Sequence, residues 1–222
     1  MLVGVGWNGG TETAENESIA SVTFTPSGGS PVSLTEVETW QAADQFRYSA
    51  LYSLTNPPAG SGVVTVTFQN AVSGTTWDNS VDGGIVAGVA TFNGVDTTDP
   101  FRTIVADDGG SPSGSGSSPG SISVAAIAGD LVFDAVFKGG QDSTWAPTTG
   151  NGQTQLWNGI ADYARGAAST KPCTTDGNVS MSWTGTETGY WISVGVAIKP
   201  APTSGETYDL TIVTVTHDLR IS

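Results

Sequence analysis

The residue types on which most enzyme chemistry depends are sparse in this chain, which has a single histidine, His217. A Ser-His-Asp triad needs a histidine to take the proton of the nucleophile. His217 lies in a segment rich in Thr, Val and Ile, which is typical of a strand. Glycoside hydrolysis needs two carboxylates at a set separation, but no motif singles out a pair among the 21 acidic residues. We therefore expect His217 to be a strand-edge residue and the protein not to be an enzyme, with no catalytic residue.

Two acidic residues, Asp96 and Asp99, stand in the segment GVDTTDPF and offer oxygen atoms of the kind that Ca²⁺ binds. Aspartate also caps turns, and Asp99 precedes Pro100, which favours an extended entry to a turn. The sequence has no EF-hand spacing, zinc motif or glycine-rich phosphate loop. We predict that both aspartates are turn residues and that the protein needs no cofactor, with a calcium site at Asp96 and Asp99 as the alternative.

Cys173 is the only cysteine, so neither an intrachain disulfide nor a cysteine-based zinc site can form. It lies in the turn-like segment KPCTTDG, where its one basic neighbour is Lys171. Because a reactive thiol needs a more electropositive setting, we predict a free, inert thiol.

Tryptophan is abundant, with seven residues, and exposed indole rings are suited to stacking on the apolar faces of sugars. Trp77, Trp145 and Trp157 lie near loops, in TTWDNS, STWAPTT and QLWNG, and are the candidates for facing a ligand. Tryptophan at such positions also packs loops onto a core or fills an interface. Both interpretations stay open at this stage.

The formal net charge of −14, from 7 basic and 21 acidic residues, restricts the partners. Nucleic acids and anionic membrane surfaces are bound through clusters of Lys and Arg, so we expect neither as a partner. No stretch approaches the ~18 apolar residues of a membrane span. The sequence opens directly on the strand-like MLVGVGW, so we expect the mature form of an exported protein or a virion protein that assembles without classical export.

Short segments of alternating apolar residues recur along the chain between Gly- and Pro-rich turns. Residues 85–92, IVAGVATF, are apolar on both faces, which predicts a strand covered on both sides. We expect residues 19–25 and 32–40 to form a hairpin, and residues 121–126 to pair with residues 130–137. The absence of a convincing helix predicts an all-β fold: a two-sheet antiparallel sandwich, jelly-roll-like, over residues 1–199.

The end of the chain is different in character. Residues 200–206 contain Pro and Gly without apolar periodicity and are predicted to be a linker. Residues 207–222, TYDLTIVTVTHDLRIS, have the composition of an extended C-terminal strand with no hairpin partner. We assign to this assembly strand Tyr208, Leu210, Ile212, Val213, Val215, His217, Leu219 and Ile221.

The apolar alternation of this strand changes phase after Ile212. The segment is therefore either two half-strands that face different cores, with a bulge between them, or one strand buried on both faces at its middle. In both cases its unpaired N–H and C=O groups require the edge of a sheet.

Seven blocks of the body, in their order and spacing, resemble a known family. They are LVGVGWNGG, ASVTFTPSGGSPVSLTEV, RYSALYSLTNPPAGSGVVTVTF, AGVATFNGVDTTDPF, GDLVFDAVF, GQTQLWNG and SVGVAIKP. Over residues 2–200 the chain is similar to β-sandwich modules of comparable length found in secreted bacterial proteins, often in tandem, and in phage structural proteins. The resemblance implies the sandwich fold and leaves the function open.

One departure from the family pattern suggests how the tail is used. Modules of the family carry a Thr/Val-rich strand before the LVGV strand, and here the tail segment VTVTHDLRIS resembles that missing strand, moved to the C-terminus. The resemblance thus implies a vacant slot whose acceptor edge is formed by Leu2, Val3, Val5 and Trp7.

These features predict a structural, self-assembling subunit of an extracellular, pilus-like filament, in which the tail of one copy fills the slot of the next. Two alternatives stay open: a virion surface protein, such as a capsid decoration or fibre, and a monomeric carbohydrate-binding or adhesion module whose tail folds back. The expected partners are other copies of the chain, with virion proteins, cell-surface proteins or glycans under the alternatives. Because the linker spans roughly 25 Å when fully extended, folding back requires a slot edge near Pro200.

Overall fold

The structure is a computed structural model that describes residues 1–8, 18–41, 47–69, 84–107, 121–139, 148–161, 164–184, 190–202, 211–213 and 218–221. Within these ranges the regular structure is all strand, without a helix. The strands of the first half are β1 (Leu2–Asn8), β2 (Ile19–Pro26), β3 (Val32–Ser33), β4 (Thr35–Gln41), β5 (Arg47–Ser53), β6 (Gly62–Phe68), β7 (Ile85–Asn93) and β8 (Phe101–Asp107). Those of the second half are β9 (Ser121–Ala126), β10 (Leu131–Gly139), β11 (Thr148–Thr149), β12 (Thr154–Ala161), β13 (Ala164–Pro172), β14 (Gly177–Thr184), β15 (Tyr190–Ile198), β16 (Thr211–Val213) and β17 (Asp218–Ile221).

The described strands form four sheets, which we number in the order in which they stack. Sheet 1 has the strand order β17-β6-β2-β3, sheet 2 β16-β7-β1-β5-β4, sheet 3 β12-β13-β10-β15-β8 and sheet 4 β11-β14-β9. Paired strands are antiparallel, except that β17 runs parallel to β6. Apolar cores fill the spaces between successive sheets, so sheets 2 and 3 are covered on both faces.

The sequence of β1 explains how sheet 2 comes to lie between two cores. Successive side chains of a strand point to opposite faces. Val3 and Val5 therefore pack against Phe24 and its neighbours in sheet 1, while Leu2 belongs to the core that includes Phe133 of sheet 3.

Glycine allows sheets 2 and 3 to approach each other closely. A Cβ atom on Gly6 would lie 2.0 Å from Phe137 Cδ1, and one on Gly88 of β7 would lie 2.2 Å from the indole of Trp157. Neither distance is compatible with real atoms, so aromatic rings of sheet 3 occupy the volume that side chains of sheet 2 would need. The ring centroids of Phe137 and Trp157 are 6.0 Å apart.

Sheet 4 packs on the opposite face of sheet 3. Its strand β9 alternates strictly between exposed and buried residues. Val124 of β9 and Met181 of β14 pack with Val132 and Ala197 of sheet 3. Cys173 is buried in the same core, where its Sγ donates to Thr175 O at 3.1 Å.

The all-β sandwich predicted from the sequence is confirmed, and residues 85–92 lie in β7, which is packed on both faces as predicted. There are more layers than the two that we predicted. The reason is that β1, β7 and β10 present mainly apolar side chains or glycine on both faces. The sheets to which they belong therefore lie between other sheets. The jelly-roll connectivity stays a prediction.

One predicted strand pairing forms only in part, and another is wrong. The hairpin of residues 19–25 and 32–40 is present only near its turn, where β2 pairs with the short β3. The other edge of β2 pairs with β6, and the polar β4 becomes the edge of sheet 2 beside β5. β9 pairs with β14, whereas β10 pairs with β13 and β15. Because β9 has one apolar face and β10 has two, β9 belongs to an outer sheet and β10 to an internal one.

Candidate assembly site

Two short strands of the tail pair with two different sheets of the body. β16 lies antiparallel to β7, with Thr211 opposite Asn93. β17 lies parallel to β6, with Asp218 opposite Val63. Each is the edge strand of its sheet. Of the two alternatives left open by the sequence, the described backbone has two separate short strands.

The residues that we assigned to the assembly strand fall into two groups. Ile212 and Val213 lie in β16, and Leu219 and Ile221 lie in β17. The others lie outside the described residues: Tyr208, Leu210, Val215 and His217.

The start of the predicted linker and the first tail strand contact neighbouring residues of the body. Ala201 N donates to Gly94 O at 2.7 Å. The tail resumes at Thr211, opposite Asn93, the residue before Gly94. A slot edge near Pro200, which a tail folding back within one chain requires, is therefore present.

β1 is not the acceptor edge. It pairs with β5 along one side and with β7 along the other, and Leu2, Val3, Val5 and Trp7 are all buried. The prediction that these four residues form the acceptor edge is wrong, because both backbone edges of β1 are already hydrogen-bonded within the chain. The edges that accept the tail belong to β7, one strand further out, and to β6 in the next sheet.

A cleft of about 440 Å³ opens beside the place where β16 joins β7. Phe92 of β7 and Phe101 of β8 supply aromatic walls, and Asn56 and Thr97 supply polar groups. Asn93 lines the cleft and also pairs with β16. The described lining residues include no charged side chain, and the volume is within the range of small-molecule sites.

Asp96 and Asp99 are turn residues in the structure. Asp96 Oδ1 accepts the N–H groups of Thr98 at 2.9 Å and Asp99 at 3.1 Å, and these hydrogen bonds lower the pKa of Asp96. The Asp99 carboxylate forms an ion pair with Lys199. Across the described ranges, no three His, Cys, Asp or Glu side chains come together as a metal site would require.

Trp157 lies between sheets 2 and 3, where its indole fills the space left by Gly88 and contacts Phe137. Its Nε1 is buried, with no hydrogen-bond partner among the described residues. Trp157 is partly buried and packs against the core between these sheets, so the structure agrees with the packing interpretation rather than with the ligand-facing one. Trp77 and Trp145 lie outside the described residues.

A buried polar cluster between sheets 3 and 4 was not predicted from the sequence. Asp134 of β10 is fully buried, and its carboxylate accepts Ser169 Oγ at 2.5 Å and Trp183 Nε1 at 2.6 Å. Gln153 Nε2 donates to Ser169 Oγ at 2.7 Å, and Ser182 N donates to Gln153 Oε1 at 2.8 Å. Burial raises the pKa of Asp134 to about 7. One acidic residue within the apolar run LVFDAVF was the available signal.

No family model, curated protein or solved structure matches this chain. The described ranges also contain no helix that could cross a membrane. The features that bear on function are therefore the tail, the two edges that accept it and the neighbouring cleft.

Proposed function

We propose that the protein is a structural, self-assembling subunit that polymerises by giving its C-terminal strands to a neighbouring copy. The main support is that β16 and β17 pair with the edges of two separate sheets without a hairpin that ties either strand to its partner. Strand addition of this kind joins chains through main-chain hydrogen bonds. An extracellular, pilus-like filament is the setting that we propose, and a virion surface is the alternative.

Exchange between copies conserves the contacts of the tail, because β7 and β6 have the same sequence in every copy. Such a contact is head-to-tail, since the tail of one subunit meets the body of the next. A head-to-tail contact that does not close into a ring extends into an open filament. The resemblance of the body to modules of secreted bacterial and phage structural proteins is in keeping with this use.

A second candidate is a monomeric binding module that keeps its own tail. The observations that favour it are the neighbouring anchor points of the linker, Ala201 at Gly94 and Thr211 opposite Asn93. The described lining of the cleft beside them combines apolar and aromatic side chains with hydroxyl and amide groups and has no charged side chain, which suits a neutral glycan.

A disulfide across β7 and β16 tests which copy supplies the tail. Asn93→Cys and Thr211→Cys, combined with Cys173→Ser, place two thiols opposite each other in an antiparallel pair, at a separation that a disulfide can span. The protein is unfolded, refolded at high concentration, oxidised and separated on a non-reducing gel. Strand donation predicts a ladder of covalent oligomers that collapses on reduction.

A matched pair within the body controls for random oxidation. The substitutions Thr35→Cys and Ser53→Cys place two thiols opposite each other in β4 and β5. Because both strands belong to the body, this variant should give covalent monomers only. If the tail variant also gives covalent monomers only, at every concentration, the assembly proposal is wrong and the monomeric module is supported.

A further inference from the structure

Among the described residues, a continuous circuit of buried hydrogen bonds joins sheet 4 to sheet 3 within a largely apolar interface. The circuit runs from Ser182 N–H through Gln153 and Ser169 to the carboxylate of Asp134. Trp183 Nε1 donates to the same carboxylate from the other side. Because Ser182 and Trp183 are adjacent in β14, both ends of the circuit hold the same strand of the outer sheet.

Among the described residues, the hydrogen-bond partners of the Asp134 carboxylate are all uncharged. The charged side chains on the same face of β10 and β13, or in the turn before β10, are Lys138, Arg165, Lys171 and Asp130. Lys138 is four residues away along β10, about 13 Å at the rise of an extended strand, and lies opposite Arg165.

The remaining charges nearby are engaged elsewhere, since Lys171 Nζ donates to Ser180 O at 3.2 Å and Asp130 is paired with Arg102. The facing strands β9 and β14 present apolar side chains, and β15 presents Gly195 opposite Asp134.

We propose that Asp134 makes the attachment of sheet 4 to sheet 3 sensitive to pH, with the neutral acid stabilising the interface and the carboxylate weakening it. A protonated carboxyl can donate to Ser169 Oγ while its second oxygen accepts from Trp183, so each atom keeps a partner. A carboxylate in the same place is a buried charge without a counter-ion, which is unfavourable.

The direction of the effect follows from proton uptake. The pKa of Asp134 is raised by burial from its ordinary value of 3.8 to about 7 in the folded protein. The folded state therefore binds a proton between these values, and its contribution to stability is complete below about pH 4 and is lost as the pH rises through about 7.

Two measurements test the proposal. The first is the chemical shift of the Trp183 indole N–H, assigned by Trp183→Phe, which should titrate with a midpoint near pH 7. The second is amide exchange in β9 and β14, corrected for the intrinsic effect of pH on exchange. Opening of sheet 4 should become about 100-fold more frequent between about pH 5 and about pH 8.5, while amides of β10 change less.

Asp134→Asn is the matched control, because an amide keeps an acceptor for Trp183 but does not titrate. This substitution should abolish the pH dependence of both the Trp183 resonance and the amide exchange. Should that variant not fold, Ser169→Ala serves instead: it removes a donor that favours the carboxylate, so the midpoint should move to higher pH. The proposal is wrong if the Trp183 resonance does not titrate, or if Asp134→Asn keeps the pH dependence of the unmodified protein.

Discussion

Gly4 and Gly6 lie on the same face of β1 but have different surroundings in sheet 3. The nearest atoms to a Cβ on Gly4 would be 3.4 Å away, an ordinary contact, whereas those to a Cβ on Gly6 would be at 2.0 Å and belong to the ring of Phe137. The Phe137 Cβ would also be only 2.7 Å away, so a rotation of the ring alone does not relieve the overlap.

We expect Gly6→Ala to destabilise the protein by about 1–3 kcal/mol, as overpacking of a core does. Gly4→Ala is the matched control and should change the free energy of unfolding by less than about 1 kcal/mol, since alanine also lowers the entropy of the unfolded chain. Urea denaturation of both variants gives the comparison. Equal effects would contradict the assignment of Gly6 as the position of close approach.

Individual residues also show what can and what cannot be predicted from a sequence. The turn role of Asp96 was predictable, because its two hydrogen bonds reach residues only two and three positions away. The role of Trp157 had to be left open, because its packing depends on Gly88, a residue far away in the sequence and in another sheet. Asp134 could be noticed within an apolar run, but its partners Ser169 and Trp183 come from other strands.

At the scale of elements, the two tail strands protect two different edges. β16 covers β7 in sheet 2, and β17 covers β6 in sheet 1. An uncovered edge exposes a row of N–H and C=O groups to other chains. Truncations at two positions can therefore separate the contributions of the two strands.

Deletion of residues 218–222 should expose to exchange those amides of β6 that face β17, while the amides that face β2 and those of residues 91–93 stay protected. Deletion of residues 207–222 should expose both sets and promote aggregation, because two edges are then open. Hydrogen exchange measured by mass spectrometry on freshly purified protein distinguishes the two patterns. Unchanged protection in both variants would mean that the tail strands do not cover these edges in solution.

The elements also show where periodicity is informative. The apolar faces of β7 indicated correctly that it is covered on both sides, because burial of a face follows from its own side chains. The partners of a strand do not follow from its own side chains, since β9 and β10 are adjacent in sequence and yet join different sheets. The vacant slot predicted beside β1 was wrong for the same reason. β5 and β7, which pair with the two edges of β1, are separated from β1 by long stretches of chain.

At the scale of the whole molecule, the net charge of −14 opposes the association of identical subunits. The repulsion between exposed charges is screened within a Debye length of about 10 Å at 0.1 M salt. The main-chain hydrogen bonds of an added strand carry no net charge and depend little on salt. Ionic strength should therefore act on the encounter between copies.

We expect assembly to become faster as NaCl is raised from about 10 mM to about 150 mM, because screening lowers the repulsion between subunits. Light scattering at constant protein concentration measures the rate. The variant lacking residues 207–222 is the control and should not form the same species at any salt concentration. Slower assembly at higher salt would instead indicate attraction between charged surfaces.

The neighbouring positions at which the tail contacts the body have a consequence for the strand exchange that we propose. The tail is hydrogen-bonded to the body at Gly94 and pairs with it again at Asn93, so it is tethered close to the strand edges to which it binds. A short tether commonly gives an effective concentration on the order of millimolar. A tail from another copy competes only where subunits are gathered to a similar local density, or where the resident tail has been displaced. A monomer whose own tail covers β7 and β6 would then act as a storage form. Crowding of subunits at the site of growth would decide when that tail is released.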